Sequence, residues 1–143
     1  MQIKQNITFK AETHNFPTAI SPFPAAETGV GGRIRDTVSI GRGGINIAGT
    51  AGYCVGNLNI DNYDLNWEDG KYKNGLLVPA DKILIEASNG ASDYGNKIGE
   101  PIIGGFTRSF GIDINSEKRI EWLKPIMFSG GIGFMYDLSL IHI

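Results

Sequence analysis

The sequence has little cysteine, no long apolar run and no excess of charge of either sign. Its single cysteine, Cys54, excludes an internal disulfide and a zinc site built from several thiolates. No apolar run approaches the roughly 18 residues that cross a bilayer, and residues 1–6 lack the apolar region of a signal peptide. Thirteen Lys and Arg residues against 15 Asp and Glu residues give a formal charge of −2, which offers no basic surface for nucleic acid. We therefore expect a cytoplasmic protein whose partners include neither nucleic acid nor a membrane.

Glycine, in contrast, is abundant. The chain has 143 residues, enough for one domain, and contains 20 glycines in clusters such as Gly29, Gly31 and Gly32. Glycine lets the backbone turn sharply or approach another group closely. Two interpretations are open at this point: a strand-rich domain with many tight turns, or loops that wrap around a ligand.

The pattern of apolar residues predicts a strand-rich α/β (α+β) domain. Alternation and short apolar runs predict strands over residues 3–13, 34–40, 45–60 and 82–87. A short helix is predicted near residues 91–97, ended by Gly99 and Pro101.

Prolines and glycines predict the segments without regular structure. Pro17, Pro22 and Pro24 each restrict the backbone, so regular structure is predicted to stop after the first strand. Loops are predicted over residues 25–32, 61–79 and 129–133.

Three chemically active residues lie two apart in the first predicted strand. Lys10, Glu12 and His14 would share one face, because side chains alternate between the faces of a strand. A lysine can neutralise phosphate, a carboxylate can hold Mg²⁺, and an imidazole can transfer a proton near neutral pH. The alternative is a solvated polar face on an edge strand.

The segment of residues 25–36 predicts a phosphate-binding loop. Its glycines could expose backbone N–H groups, and Arg35 and Asp36 add an anion binder beside a second magnesium ligand. It is not a Walker A loop, which needs Gly-Lys followed by Ser or Thr, and Ile34 breaks the dinucleotide-binding pattern. A simple turn is the alternative.

Together these elements resemble the phosphoribosylformylglycinamidine synthase family, in its large single-chain form. The resemblance extends from about residue 9 to residue 133. It rests on long uninterrupted motifs: Phe9-Lys10-Ala11-Glu12-Thr13-His14-Asn15-Phe16-Pro17, Thr28-Gly29-Val30-Gly31-Gly32-Arg33-Ile34-Arg35-Asp36, Glu86-Ala87-Ser88-Asn89-Gly90-Ala91-Ser92-Asp93-Tyr94-Gly95-Asn96-Lys97 and Lys124-Pro125-Ile126-Met127-Phe128-Ser129-Gly130-Gly131.

The resemblance implies an ATP-dependent C–N ligase of purine biosynthesis. In that family ATP phosphorylates the formamide oxygen of formylglycinamide ribonucleotide, and ammonia from glutamine displaces the phosphate to form the amidine. The implied fold is the N-terminal α/β domain of the aminoimidazole ribonucleotide synthetase-like superfamily, and the implied cofactors are ATP and Mg²⁺.

The resemblance also implies roles for individual residues. His14 matches the catalytic histidine, and Glu12 and Asp36 match metal ligands. The residues expected to contact the substrate are Thr13, Asn15, Phe16 and Arg35. The residues expected to contact ATP are Lys10, Ala25, Ala26, Glu27, Thr28, Gly29, Val30, Gly31, Gly32, Arg33, Ile34, Arg35, Asp36, Gly104, Gly105 and Phe106.

The chain departs from the family pattern in a few places. Ala25, Glu27 and Phe16 stand where relatives often carry other residues, and residues 134–143 match nothing in the family. We therefore expect a partial synthetase domain over residues 1–133, followed by an unrelated tail. The resemblance implies that this segment lacks the glutaminase, the second half of the enzyme and the N-terminal region that precedes it in the family. Two alternatives stay open: a fragment that at most binds phosphate or nucleotide, or another ATP-dependent member of the same superfamily.

Overall fold

Helices cover one face of a four-stranded sheet, and a two-stranded hairpin lies beside it. The computed structural model describes residues 4–63, 65–68, 75–115 and 117–137. The elements are β1 (Gln5–Thr13), α1 (Asn15–Ile20), α2 (Pro22–Val38), β2 (Ile45–Val55), α3 (Ala80–Ile98), β3 (Ile102–Ser109), β4 (Gly111–Ile114), β5 (Lys118–Glu121) and β6 (Ile126–Tyr136). The predicted strand-rich α/β class is confirmed.

The sheet has the order β1-β6-β2-β3. β6 is antiparallel to both β1 and β2, whereas β2 and β3 are parallel. The parallel pair requires a long crossover connection, and α3 lies in it. β6 continues to Tyr136, which pairs with Gln5, so residues 134–136 of the predicted tail belong to the sheet. Residues 138–143 lie outside the described part of the chain, and the unrelated tail stays a prediction.

The hydrophobic core lies between the sheet and the helices α2 and α3. Val30 of α2, Ala87 and Ala91 of α3, and Tyr53 and Met127 of the sheet form one buried cluster. In α3 the buried residues Ile83, Ala87, Ala91 and Gly95 recur every four positions, which is the spacing of one helix face. The core therefore fixes how both helices lie on the sheet.

β1 has an unusual distribution of polarity. Its half-buried side carries Thr8, Lys10 and Glu12, while Ile7 and Phe9 on the other side are 65% and 80% exposed. An ordinary sheet strand directs its apolar residues to the core and its polar residues to water. β1 thus combines a polar inner face with an apolar outer face.

Several predicted boundaries were wrong, beginning with the prolines. Residues after Thr13 form α1 and α2 instead of stopping regular structure. Pro22 and Pro24 lie in the first turn of α2, where the missing N–H has no helical partner to lose, so they favour the start of this helix. The predicted loop over residues 25–32 and the predicted strand over residues 34–40 are both parts of α2 up to Val38.

Two further predictions, for residues 82–87 and 129–133, were wrong because a local pattern lies inside a longer element. Residues 82–87 are helical in α3, because their local alternation belongs to a longer four-residue repeat. Residues 129–133 lie inside β6, whose glycines let bulky neighbours approach: a methyl group at Gly131 would overlap the guanidinium of Arg33. The strand predicted over residues 3–13 is confirmed as β1, whereas the one predicted over residues 45–60 is confirmed only as far as Val55. The helix predicted near residues 91–97 is the last part of α3, and Gly99 ends it in the left-handed conformation at φ 73°.

Within the described ranges, no helix combines the length and the apolar character needed to cross a membrane.

Candidate functional site

The inner face of β1 and one side of α2 meet in a polar cluster. The Lys10 Nζ atom lies 3.0 Å from the Asp36 Oδ2 atom. The Glu12 carboxylate lies against Gly32, and the Cβ atom of His14 lies against Gly29. Residues three and four apart share one side of a helix, so Gly29, Gly32 and Asp36 face β1 together. The predicted convergence of Lys10, Glu12 and His14 on one surface is confirmed.

The glycines of α2 allow close helix packing. A methyl group at Gly29 would lie 2.8 Å from the Met127 sulfur, and one at Gly32 would lie 3.2 Å from a Glu12 carboxylate oxygen. One at Gly31 would lie 2.8 Å from the ring of Tyr94 in α3. The predicted backbone cradle for phosphate was therefore wrong. In a helix the N–H groups bind carbonyls four residues earlier, as Ala25 does to Ser21 at 3.1 Å.

Asp36 is held between two cations. Its Oδ1 atom accepts hydrogen bonds from the Nε and Nη2 atoms of Arg35 at 2.9 and 2.7 Å. The hydrogen bond from Lys10, together with those from Arg35, holds the pKa of Asp36 below its usual value. Asp36 in turn raises the pKa of Arg35. Asp36 is therefore charged at neutral pH and keeps two cationic groups beside Glu12.

His14 is fixed at three points of its backbone and Cβ atom. Its N–H donates to the Met127 carbonyl at 2.8 Å, its own carbonyl accepts from the Thr18 hydroxyl at 2.5 Å, and its Cβ atom packs on Gly29. The ring atom Nδ1 is buried and has no hydrogen-bond partner in the described part of the chain, and the same is true of Glu12 Oε2. Buried polar atoms without partners are rare in native proteins, because they lose their hydration without compensation. Each of these two atoms can take a further hydrogen-bond or metal partner.

Comparison with known proteins identifies relatives over almost the whole chain. Phosphoribosylformylglycinamidine synthase of Dictyostelium discoideum is 63% identical over 139 residues, which are 96% of this chain and 10% of the relative. The protein of the same name from Homo sapiens is 57% identical over 132 residues, again covering 10% of the relative. The chain belongs to the phosphoribosylformylglycinamidine synthase family. It spans about one tenth of the length of these relatives. No family model matches the chain.

Solved structures confirm the expected fold. Thermotoga maritima PurL complexed with FGAR superposes with a TM-score of 0.58 and 26% identity, covering 96% of this chain and 17% of that one. The same protein complexed with AMPPCP gives a TM-score of 0.60 at 26% identity over 93% of this chain and 17% of that one. The hydrogenase maturation protein HypE in complex with ATP, at 13% identity and a TM-score of 0.53 over 93% of this chain and 31% of that one, shares the fold alone.

Arg33, which is expected to contact ATP, lies in the interior of the structure. Its guanidinium is fully buried and forms a bidentate ion pair with Glu100, and its Nε atom lies 3.3 Å from the Ser129 hydroxyl. Arg33 thereby joins α2 to the segment before β3 and to β6. Its role in ATP binding stays a prediction, but no part of this side chain reaches the surface.

The other predicted ATP contacts in α2 fall into two groups. Ala25, Ala26, Val30 and Ile34 are buried in the packing of the helix. Glu27 binds Lys97 of α3 at 2.9 Å and the Thr28 hydroxyl donates to the Pro24 carbonyl at 2.8 Å. The carboxylate of Glu27, an unusual residue for a nucleotide loop, thus has a cation as its partner.

The remaining residues predicted to contact ATP, 104–106, lie at the edge of the sheet opposite β1. Gly104, Gly105 and Phe106 belong to β3, which is separated from β1 by β6 and β2. Three strand spacings correspond to about 14 Å. These residues line a cavity of about 390 Å³ between β3 and α3, together with Tyr53 and Ser88. The structure does not bring them to the polar cluster of β1 and α2.

The predicted substrate contacts are also divided. Thr13 ends β1, and Phe16 is exposed at the start of α1. The Asn15 side-chain oxygen accepts a hydrogen bond from the backbone N–H of Met127 at 3.1 Å. Sequence reasoning missed Met127 and Thr18, which hold His14, because an apolar strand residue and a helical threonine give no signal of such a role.

Proposed function

We propose that the full-length protein containing this chain is an ATP-dependent C–N ligase that converts formylglycinamide ribonucleotide to its amidine. The observation that carries the proposal is the polar inner face of β1, where His14 Nδ1 and Glu12 Oε2 are buried without partners. The identity of 57–63% to named synthases, and a related structure described as complexed with FGAR, support the substrate class.

The reaction exchanges the formyl oxygen for nitrogen. The γ-phosphoryl group of ATP is transferred to the formamide oxygen, ammonia adds to the same carbon, and the C–O bond breaks so that the oxygen leaves as part of phosphate. Phosphoryl transfer depends mainly on positioning and on neutralisation of charge. Lys10 and Arg35 supply positive charge beside the cluster, and His14 is the group that can accept a proton from the attacking ammonia or donate one to the leaving oxygen.

A magnesium ion fits the residues of the cluster. Mg²⁺ is usually held by one or two carboxylates together with phosphates and waters. Glu12 has a buried oxygen without a partner, whereas Asp36 already accepts from Lys10 and twice from Arg35. No group of three or more His, Cys, Asp and Glu residues converges on one point in the described ranges. When bound, the ion would neutralise phosphate charge.

Residues 25–36 and residues 104–106 are both expected to bind ATP. Because they lie apart, they would contact different parts of one nucleotide or two different ligands. The α2 residues that face β1 lie at the polar cluster, and residues 104–106 lie near the other edge of the sheet. Related structures described as complexed with AMPPCP and with ADP support a nucleotide ligand for the full-length protein.

The remaining partners are other parts of the same polypeptide. The chain spans about one tenth of its relatives, so we infer that the glutaminase and the second half of the synthetase lie in the rest of the protein. A cytoplasmic location also stays a proposal, since one relative from Arabidopsis thaliana is named chloroplastic/mitochondrial.

As an isolated chain, the polypeptide has a second candidate role, as a non-catalytic phosphate or nucleotide binder. The chain spans about one tenth of its relatives, which favours this role, because a catalytic site needs surroundings that exclude water and fix its groups. A different member of the superfamily is disfavoured, because the chain is 57–63% identical to proteins named phosphoribosylformylglycinamidine synthase.

The test follows the oxygen atom. Full-length protein receives substrate labelled with ¹⁸O in the formyl oxygen, together with ATP, Mg²⁺ and ammonia. We expect amidine, ADP and ¹⁸O-labelled phosphate in equal amounts, measured by mass spectrometry. Label that stays in the organic product, or ATP hydrolysis without amidine, would refute the proposed reaction.

A further inference from the structure

The hydrogen-bond ladder between β1 and β6 ends in an unusual way. The last paired residues are Thr13 and Phe128, and after Thr13 the chain leaves the strand to form α1. The next residue of β6, Met127, is fully buried, and its carbonyl still accepts the N–H of His14. Its own N–H would lose its partner at this point, because the chain of β1 has turned away.

The side chain of Asn15 supplies the missing acceptor. Asn15 Oδ1 lies 3.1 Å from the Met127 nitrogen. Only the amide oxygen can accept a hydrogen bond from an N–H group, so this contact uses the oxygen end of the side chain. Two consecutive residues therefore bind the Met127 backbone: His14 donates to its carbonyl, and Asn15 accepts from its N–H.

These two hydrogen bonds to Met127 help to determine where His14 lies. The Met127 side chain fills the space beside Gly29, and the Cβ atom of His14 packs on the same glycine. A shift of the Met127 backbone would move its carbonyl, the acceptor of the His14 N–H. The imidazole would move with the backbone of His14, and displacements of about 1 Å can cost a hundredfold in rate.

We propose that Asn15 is a positioning residue, which holds the His14 imidazole in place through Met127. The proposal rests on the proposed function, since His14 has its role there. It replaces the expectation that Asn15 contacts the substrate, and it makes the amide oxygen, not the amide nitrogen, the group that matters.

Two substitutions in the full-length protein separate these roles. Asn15→Asp keeps an oxygen acceptor of the same shape and removes the amide donor, whereas Asn15→Leu removes both. We expect N15L to lower kcat by about tenfold to a hundredfold with KM for the formyl substrate within about threefold of wild type. We expect N15D to restore kcat to within about threefold, with a similar KM.

Hydrogen exchange measured by mass spectrometry gives the second readout. The peptide that contains Met127 should take up deuterium faster in N15L than in wild type, and at the wild-type rate in N15D. A raised KM in N15D, unchanged kcat in N15L, or a kcat loss without faster exchange at Met127 would overturn the proposal. If N15L fails to fold, the KM of N15D and its hydrogen exchange at Met127 still test the proposal. If the wild type forms no amidine at all, the proposed function fails, while exchange still tests whether Asn15 holds Met127.

Discussion

At the residue scale, buried polar atoms and glycines share one surface. Glu12 and His14 each have a buried atom without a partner, and each lies against a glycine of α2. Larger residues at these two positions would press on the same groups. The glycines of α2 therefore leave room for Glu12 and His14 as well as for close packing.

Gly32→Ala should separate activity from stability. The added methyl group would lie 3.2 Å from Glu12 Oε2, so the carboxylate must shift by a few tenths of an ångström. Alanine is favoured over glycine in a helix by about 1 kcal/mol, and the contact is with the end of a flexible side chain. We expect kcat of the full-length protein to fall about tenfold while the melting temperature stays the same or rises. Gly75→Ala, whose methyl group would meet nothing within 4 Å, is the control. Equal activity of G32A and G75A would contradict the placement of Glu12.

Arg33 and Glu100 form a buried ion pair that supports the same helix. Arg33→Met should lower the free energy of unfolding of the 143-residue chain by about 3–5 kcal/mol, because Glu100 is left buried without its partner. The double variant Arg33→Met/Glu100→Met should recover most of this loss in urea unfolding. Additive losses would show that the two residues act separately.

At the scale of the elements, the sequence predicts the strands β1 and β2 but not the helix α2. The alternation of polar and apolar residues in β1 is a local signal, and it correctly placed Lys10 and Glu12 on one face. In α2, local rules failed, since prolines and glycines normally break regular structure. The glycines are explained only by contacts with Met127, Glu12 and Tyr94, which belong to other elements.

Long-range contacts account for the pairings at the site that the sequence does not show. The ATP contact of Arg33 follows from the resemblance alone and stays a prediction, and the residue that its side chain pairs with, Glu100, is 67 residues away in the sequence. The interaction between Asn15 and Met127 spans 112 residues. A single sequence shows which residue types can do chemistry, but it does not show which of them are already paired.

The packing of α3 on β2 gives a prediction about pH. Burial raises the pKa of Tyr53 to about 12, and its hydroxyl donates to the Ala87 carbonyl at 3.3 Å. The neutral phenol is favoured in the folded state, so its contribution is intact below pH 10, the ordinary pKa of tyrosine, and is lost as pH rises through about 12. Wild type should lose roughly 2–3 kcal/mol of unfolding free energy relative to Tyr53→Phe between these limits. Urea unfolding of both chains at pH 9 and pH 12 measures this difference. An unchanged difference would mean that Tyr53 is not buried against α3.

At the scale of the whole molecule, the outer face of the sheet is an exposed apolar surface. Phe9 and Ile103 are 80% and 67% exposed there, and Ile7 and Ile45 lie on the same side. Exposed apolar patches of this kind normally contact another part of a protein. In a chain that spans one tenth of its relatives, the rest of the polypeptide is the natural cover.

The isolated chain should therefore self-associate through this face. We expect its average mass in analytical ultracentrifugation to rise with concentration, and Phe9→Ser/Ile103→Ser to reduce the rise. Ile85→Ser, at a residue of α3 that is 60% exposed but lies away from the sheet, is the control and should have no such effect. A monomeric wild-type chain would show that the outer face does not mediate self-association. Equal effects of Phe9→Ser/Ile103→Ser and Ile85→Ser would show the same.

The polar inner face of β1 is the proposed catalytic surface, and the most direct test is amidine formation by the full-length protein with ammonia as the nitrogen source. Glu12→Ala and His14→Ala should each lower kcat by at least about a hundredfold without changing the melting temperature, because both remove groups that act on the reacting atoms. Glu117→Ala, at an exposed carboxylate next to β5, should stay within about twofold of wild type. Near-normal turnover by E12A and H14A would contradict the assignment of this face as the active site.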